Sequence, residues 1–290
     1  MTAATGSTDT IVRLRLPDSE RVFHDRARRL AQLSSDHPAG PFLALLARIA
    51  SGQHRATQTV RVPGGAQLLE GRPLDHRRWP LDASWREMLQ VVLASATDGP
   101  LTDAAAAVTA HLACATDADL DAMAAGVLDG SSVDLAAAPF VGGALQVLFT
   151  RLAGGLSEQL VRPEAGACPV CGAGPVAGVI LGSDRLRYLT CSLCATQWHL
   201  PRVQCARCFS GASLEYFGVE DALPGVSAEA CDACGVYVKL FDLAEAHDAE
   251  PTADDAATLV LDLMLAERGY RRAGVNLIAP SGEGRQHDAS

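Results

Sequence analysis

The chain has 290 residues, of which 48% are hydrophobic, 5% aromatic and 20% charged, and its formal net charge is -10. This length favours about two folded units, and the apolar fraction excludes a wholly disordered chain. The negative charge argues against a protein that coats nucleic acid. Because the N-terminus lacks the apolar segment of a secretory signal and no apolar run reaches membrane-spanning length, we expect a cytoplasmic protein without membrane insertion.

The first half of the chain is predicted to be helical. Residues 1–16 begin polar and small and predict a flexible tail, whereas residues 17–163 carry apolar side chains at helical spacing. Thr102 and Thr116 are predicted helix N-caps, the second within a Thr-x-x-Asp capping box. Glycines and prolines in residues 57–82 predict a long loop between helices.

Small residues mark two of these helices. Pro139 begins a longer apolar helix, in which Gly142 and Gly143 predict close helix packing. Cys114 lies in an alanine-rich helix, where we expect a small buried side chain. A ninth ligand or a reactive thiol is the alternative for this cysteine.

Beyond a linker at residues 162–166, β-like segments alternate with cysteine pairs. We therefore predict an α+β multidomain protein, in which the helical N-terminal domain is followed by two tandem rubredoxin-like or zinc-ribbon modules, residues 164–204 and 205–250. The predicted strands are residues 176–181 and 186–190, which form a hairpin, and residues 214–219 and 236–241.

The last section, residues 251–290, is predicted to contain a helix over residues 253–268 and a frayed tail from residue 280. Thr252 and Asp255 form its expected capping box, and Gly269 is its expected left-handed stop. The helix is apolar nearly all round, which predicts that it is buried.

Eight of the nine cysteines form four Cys-x-x-Cys pairs: Cys168 and Cys171, Cys191 and Cys194, Cys205 and Cys208, Cys231 and Cys234. Each pair places two thiolates on one tight turn, and four thiolates complete a tetrahedral set for zinc or rubredoxin-type iron. Gaps of 19 and 22 residues within the first two and the last two pairs suit a hairpin, so we pair the knuckles in sequence order. An interleaved cross-brace is the alternative. If these cysteines bind no metal, the remaining interpretation is that they are free or disulfide-bonded.

Both predicted sites are closed, because four protein ligands leave no position for water, and this argues against hydrolytic metal catalysis. Gly172 and Gly235 follow two of the knuckles, where a left-handed backbone allows amide hydrogen bonds to sulfur. Ala195 and Phe209 stand at the equivalent position of the other two, so we expect those knuckles to differ locally.

Several sequence runs resemble one protein family. They are Arg187-Tyr188-Leu189-Thr190-Cys191-Ser192-Leu193-Cys194-Ala195-Thr196-Gln197-Trp198-His199, Ala253-Asp254-Asp255-Ala256-Ala257-Thr258-Leu259, Cys168-Pro169-Val170-Cys171-Gly172 and Tyr237-Val238-Lys239. All are similar to the formate dehydrogenase accessory proteins of the FdhE type. The resemblance is dense over residues 168–280 and looser in the helical part, where His37-Pro38 and Ala144-Leu145-Gln146-Val147 echo the pattern. Ala256 departs from the leucine that the family commonly has there.

The resemblance implies a cytoplasmic, non-catalytic maturation factor or chaperone that is required for active respiratory formate dehydrogenase. It further implies binding to the catalytic subunit of that enzyme before export, and a fold with two rubredoxin-like modules that have been associated with iron. The metal-binding residues would be the eight paired cysteines, with one iron or zinc ion at each site.

Other polar residues beside the knuckles are weaker candidates. Arg187, Tyr188, Trp198 and Arg202 are expected to form an exposed partner-binding face around the first site. Asp254 and Asp255 begin a helix, where capping is the structural interpretation and partner recognition the functional one. His199 lies between two knuckles, but eight cysteines already fill two sites.

Two other function classes are weighed against the accessory role. A zinc-ribbon protein binding nucleic acid or another protein is the first, although residues 168–235 contain four basic and six acidic residues. A thiol–disulfide oxidoreductase is the second, and the βαβ context of its reactive Cys-x-x-Cys is missing. No nucleophile–base arrangement or phosphate-binding glycine loop is recognisable.

Overall fold

A computed structural model describes residues 11–62, 68–131, 134–161, 166–211, 213–218 and 224–280. The predicted α+β class is confirmed: a helical layer precedes a sheet that contains both cysteine-rich parts. Residues 1–10 of the predicted tail and the end of the chain from residue 281 lie outside the described residues. The tail prediction is wrong at its end, because Leu14–Arg15 forms a strand.

The helical region contains α1 to α6: Val22–Ser34, Gly40–Thr59, Ser84–Ala96, Asp103–Cys114, Asp117–Asp129 and Ala138–Gly154, followed by a 3-10 turn at Glu158–Leu160. The predicted caps at Thr102 and Thr116 are confirmed, including the capping box of α5. Helix α2 contacts α1, α3 and α6, and these four helices enclose Phe23, Trp85 and Phe149.

Helix α6 is the central element of this layer, because its residues from Ala138 to Thr150 are buried. The predicted close helix packing is confirmed at Gly143, which faces Ile49 of α2, but the neighbour of Gly142 is the C-terminal segment at Leu277. A Cβ atom on Gly142 would lie 2.7 Å from the carbonyl oxygen of Leu277, and one on Gly143 would lie 3.3 Å from Ile49. The C-terminal segment therefore packs directly on the α6 backbone.

Within the described residues, eight strands form one sheet: β1 Leu14–Arg15, β2 Pro175–Leu181, β3 Leu186–Cys191, β4 Gln197–His199, β5 Leu214–Phe217, β6 Val226–Cys231, β7 Val236–Asp242 and β8 Arg271–Arg272. Their order is β1-β4-β3-β2-β7-β6-β5, and β8 pairs with β7. The predicted hairpin is β2 and β3.

The two cysteine-rich parts are joined within this sheet, because β2 pairs with β7 in parallel. Both strands begin just after a knuckle, so the parallel pairing brings the two cysteine clusters to the same end of the sheet. The module boundary at residue 205 stays a prediction, since the strands on either side of it belong to one sheet.

The prediction of a single C-terminal helix over residues 253–268 is wrong in two respects. The segment forms two helices, α7 Pro251–Ala257 and α8 Leu259–Glu267, which meet at Thr258. The N-cap is Glu250, whose side chain accepts a hydrogen bond from the Ala253 N–H, so the expected capping box of Thr252 and Asp255 is also wrong.

The expected burial of this segment is only partly confirmed. Helix α7 is almost wholly buried, whereas Val260 and Leu263 on α8 are 61% and 66% exposed. Gly269 ends α8 with φ +82°, which confirms the left-handed stop.

Candidate metal centres

The first cluster contains Cys168, Cys171, Cys191 and Cys194, whose four Sγ atoms lie within 4.8 Å of one another. The Sγ–Sγ distance is 3.5 Å between Cys168 and Cys194 and 3.4 Å between Cys171 and Cys191. A tetrahedron with metal–sulfur bonds of about 2.3 Å has edges of about 3.8 Å, so the cluster has the dimensions of a site for one ion.

The second cluster contains Cys205, Cys208, Cys231 and Cys234. Its Sγ–Sγ distances are 3.6 Å between Cys205 and Cys234 and 3.7 Å between Cys208 and Cys231. The sequence-order grouping of the knuckles is therefore confirmed, and the cross-braced alternative is wrong. Each cluster could hold one metal ion.

The sulfur atoms are too far apart for disulfides, whose S–S bond is about 2.05 Å, and all eight cysteines are free. Burial, followed by the Cys168 sulfur, raises the pKa of the Cys171 and Cys191 thiols. A metal ion would have to displace these protons, because the thiolate is the ligand form.

All four knuckles have the same backbone conformation after their second cysteine. Gly172 and Gly235 have φ of +81° and +65°, as expected, but Ala195 and Phe209 also have positive φ, at +57° and +60°. The prediction that the Cys191–Cys194 and Cys205–Cys208 knuckles differ locally from the other two is therefore wrong. The turn closes hydrogen bonds that require this conformation, such as Gly172 N–H to the Cys168 carbonyl at 2.8 Å and Phe209 N–H to the Cys205 carbonyl at 3.2 Å.

Backbone amides also point at the sulfurs. The N–H groups of Leu193 and Cys194 each lie 3.4 Å from Cys191 Sγ, and the N–H of Arg207 lies 3.3 Å from Cys205 Sγ. Such donors stabilise negative charge on thiolates that share one ion.

The first cluster is covered by the long loop before α3, a contact that the sequence analysis did not predict. Leu74 N–H donates to the Val170 carbonyl and His76 N–H to the Cys171 carbonyl, both at 2.9 Å. Nδ1 of His76 lies 2.7 Å from the same Cys171 oxygen. The sequence Gly71-Arg72-Pro73-Leu74-Asp75-His76 indicates only a turn-rich loop, so no local signal pointed to this contact.

Helix α6 contacts the first cluster through a buried polar network. Gln146 Nε2 donates to the carbonyl of Ser192, between two ligand cysteines, at 2.7 Å. Gln146 Oε1 accepts from Arg26 Nη1 at 3.0 Å and from Gln53 Nε2 at 2.9 Å. Arg26 also forms an ion pair with Glu250, the N-cap of α7, at 3.2 Å. One network therefore joins three helices of the N-terminal layer, the first cluster and the C-terminal segment.

Asp254 and Asp255, the partner-recognition candidates on α7, are both buried. Asp254 receives hydrogen bonds from Arg29 on α1, the shortest 2.6 Å, and its Oδ2 accepts from the Glu250 N–H at 2.8 Å. The capping role is thus confirmed for Asp254 with a different cap residue, and neither carboxylate has the exposed position that direct partner contact needs.

Asp255 belongs to a second buried network around Lys239, the chain's only lysine. Lys239 Nζ lies 3.2 Å from Asp255 and 2.6 Å from Asp262, and Arg272 pairs with both carboxylates. Burial opposes ionisation of Asp255, but Arg272 and Lys239 outweigh it and lower its pKa. Lys239 also donates to Thr258 Oγ1 at 3.0 Å, at the residue where α7 ends.

The exposed face expected around the first site is wrong for three of its four residues. Arg187, Tyr188 and Trp198 are buried, and only Arg202 is exposed. The Tyr188 hydroxyl donates to the Val12 carbonyl at 2.8 Å, and Trp198 lies in β4, opposite Leu14 of β1. Strand β1 covers this side of the module, which explains the burial.

The two remaining single residues belong to neither cluster. The ring of His199 packs 5.6 Å from that of Tyr188, centroid to centroid, so its place in the fold is aromatic packing. Cys114 is exposed at the end of α4, which makes the expectation of a buried side chain wrong.

In the described ranges, no helix is both long and apolar enough to cross a bilayer. Three family models match the chain: FdhE, N-terminal, over residues 11–165; FdhE, central domain, over residues 167–202; and FdhE, C-terminal domain, over residues 203–279.

Curated relatives include a Protein FdhE homolog from Cronobacter sakazakii and a Protein FdhE from Escherichia coli O127:H6. Each is 33% identical over 295 residues, covering 96% of this chain and 94% of the relative. The crystal structure of the FdhE protein from Pseudomonas aeruginosa matches with a TM-score of 0.83 and 33% identity, covering 94% of this chain and 100% of that chain. Because the family models together span most of the chain and the relatives match nearly all of it, the chain belongs to the FdhE family.

Proposed function

We propose that this protein is a non-catalytic maturation factor for a respiratory formate dehydrogenase. It binds the catalytic subunit of that enzyme in the cytoplasm before export, and each four-cysteine cluster holds one zinc or iron ion. The observation that carries this proposal is the match to FdhE proteins over 96% of the chain, with both sets of four cysteines in place.

The chemistry of the clusters supports a non-hydrolytic role. Each offers four thiolates at the separations of a tetrahedral site, so an ion bound there would have no free position for water. When bound, zinc would cross-link two knuckles, and iron would in addition be able to exchange one electron.

The buried network supports a role for the first cluster in organising the surface offered to a partner. Gln146, Arg26 and Glu250 connect the Ser192 carbonyl of the first cluster to α1, α2 and the start of α7. Loading the first cluster would therefore order the packing of the helical layer against the C-terminal segment, since the thiolate site and its fold form together.

The test is genetic. Deletion of the gene should abolish formate-dependent dye reduction in cell extracts, and the wild-type gene should restore it. Variants that remove one knuckle from each site, Cys168→Ser with Cys171→Ser and Cys205→Ser with Cys208→Ser, should not restore activity. Cys114→Ser is the matched control, because this cysteine is exposed and outside both clusters, and it should restore activity fully.

Two outcomes would contradict the proposal. Unchanged formate oxidation in the deletion strain would remove the accessory role. Full restoration by both double variants would remove the requirement for the clusters.

The partner and the metal are tested separately. The purified chain should bind the purified catalytic subunit in calorimetry, and an absence of binding would refute the direct contact. Anaerobic purification with metal analysis identifies the ion, and visible absorbance that bleaches on reduction distinguishes iron from zinc.

A further inference from the structure

The two clusters differ in how far the protein encloses them. All four cysteines of the first cluster are buried, between 0% and 2% exposed. In the second cluster Cys205 and Cys231 are buried, Cys234 is half-buried and Cys208 is exposed. The ligand sets are chemically identical, so enclosure is the property that separates the sites.

Contacts from distant parts of the chain explain the enclosure of the first cluster. The Leu74 and His76 amides bind the first knuckle from the long loop, and Gln146 binds the second from α6. Thr196 Oγ1 lies 3.2 Å from Cys194 Sγ, so a hydroxyl also touches a ligand sulfur. Opening this site would require these contacts to break together.

The Cys205–Cys208 knuckle is held differently. The hydrogen bonds within its own turn include Phe209 N–H to the Cys205 carbonyl, Cys205 N–H to the Ser210 carbonyl at 2.9 Å, and Arg207 N–H to Cys205 Sγ. The Ser210 backbone also bonds to the Cys208 sulfur. No residue of the described helical layer adds a hydrogen bond to this knuckle. Ala206 and Phe209 of this turn pack on the main core, but Cys208 itself is exposed, so its side chain can leave the cluster while Ala206 stays in place.

We propose that the protein has one permanent and one exchangeable metal site, and that the exchangeable site is the second cluster, entered through Cys208. Exchange is a ligand substitution. An incoming thiol approaches the exposed face, its sulfur takes the place of Cys208 Sγ, and its proton passes to the Cys208 thiolate. Four sulfur ligands and the total charge are conserved, so no oxidant or reductant is needed.

The ligand class that fits the second site is a small thiol or a cysteine on a partner's surface, because the exposed position suits a sulfur donor and the site already consists of thiolates. This inference rests on the proposed metal binding but not on the identity of the partner. It gives the second cluster a role in metal or ligand transfer that the enclosed first cluster cannot share.

The experiment uses the full chain carrying Cys114→Ser, which removes the exposed thiol outside the clusters. The zinc-loaded protein, with two equivalents by elemental analysis, is mixed with excess 4-(2-pyridylazo)resorcinol, and zinc release is followed by absorbance. We expect two phases of one equivalent each. Their rates should differ by about 10- to 100-fold, the range over which outer hydrogen-bond partners change metal affinity.

Alkylation identifies which site has opened. N-ethylmaleimide added after the first phase should label the four cysteines of the second cluster, and mass spectrometry should find the first cluster unlabelled. Release of both equivalents at one rate, retention of both, or first labelling of Cys168 to Cys194 would overturn the proposal. If the protein purifies with a single equivalent, labelling decides the same question, because the occupied cluster should be the first.

A variant tests whether enclosure is the cause. His76→Ala removes a side-chain contact with the first knuckle and leaves the second cluster untouched. It should accelerate the slow phase and leave the fast phase unchanged, and acceleration of the fast phase alone would refute the explanation. Since no dehydrogenase is present, failure here is distinct from failure of the genetic test.

Discussion

Replacing Arg187 tests how the segment leading to the second cluster is held. This side chain is fully buried in β3 and pairs with Glu229 of β6. Its Nε donates to the Leu200 carbonyl at 3.2 Å, and its Nη2 donates to the Pro201 carbonyl at 2.7 Å. One guanidinium thus joins two strands from different cysteine-rich parts to the segment that precedes Cys205.

Arg187→Met should lower the free energy of unfolding by about 3–5 kcal/mol, the range for removing one partner of a buried ion pair. The cost arises because, among the described residues, Glu229 would keep only the Tyr216 hydroxyl, at 3.0 Å, and the carbonyls would lose their donor. Arg187→Met with Glu229→Met removes the unpaired charge, so the double variant should regain about 2 kcal/mol.

Urea unfolding of the zinc-loaded protein, followed by tryptophan fluorescence and far-UV circular dichroism, measures these changes. Arg28→Met is the matched control, because Arg28 and its partner Asp248 are about half exposed; its cost should be below about 1 kcal/mol. If Arg187→Met costs no more than this control, the reasoning about the buried pair is refuted. A double variant as unstable as the single one would refute the role of Glu229.

Three further predictions concern the backbone and one histidine. Ala195→Gly should raise the unfolding free energy by up to about 1 kcal/mol, because it removes the left-handed strain of a residue with a Cβ. Gly235→Ala, whose Cβ would lie 4.0 Å from the Gly269 carbonyl oxygen, adds such strain without a clash and should lower the unfolding free energy by about 1–2 kcal/mol. Equal effects of both in urea unfolding would contradict this reasoning. Gly142→Ala should lower the melting temperature and expose the C-terminal segment to proteolysis, because its Cβ would lie 2.7 Å from the Leu277 carbonyl oxygen. An unchanged melting temperature would show that the segment can shift without cost. Burial and two arginines lower the pKa of His199. As the pH drops through about 6.5, the unfolded chain therefore binds a proton before the folded one, and the free energy of unfolding should fall. NMR titration should give a His199 midpoint below that of free histidine, and Arg13→Gln should raise it; an unshifted midpoint would refute the assignment.

Local sequence patterns predicted the features that depend on neighbours in the chain. The capping box at Thr116 forms because its partner Asp119 is three residues away, and Gly269 ends α8 because the stop signal is local. The grouping of the cysteines follows from hairpin lengths that two adjacent strands can close. The helical N-terminal region and strands β2, β3, β5 and β7 were predictable for the same reason, whereas β4 and β6 were not predicted.

Features that depend on distant residues were mispredicted. Nothing near Thr258 indicates that Lys239, 19 residues earlier, donates hydrogen bonds to its hydroxyl and its carbonyl at the point where α7 ends. Arg187 and Asp255 look like exposed charges in the sequence, but each meets its counter-ion only after the sheet and the C-terminal segment have packed. Ala195 and Phe209 adopt positive φ because the cysteine cluster requires it, against their own preference.

The presence of two sets of four thiolates follows from the amino-acid order alone, since Cys-x-x-Cys spacing places both sulfurs of a pair on one turn. The resemblance to FdhE proteins follows from the same residues. That the two sets share one sheet, and that the first is enclosed while Cys208 of the second is exposed, became evident only from the packing of the folded chain. Ligand geometry is local, whereas burial depends on which distant segments pack over a site.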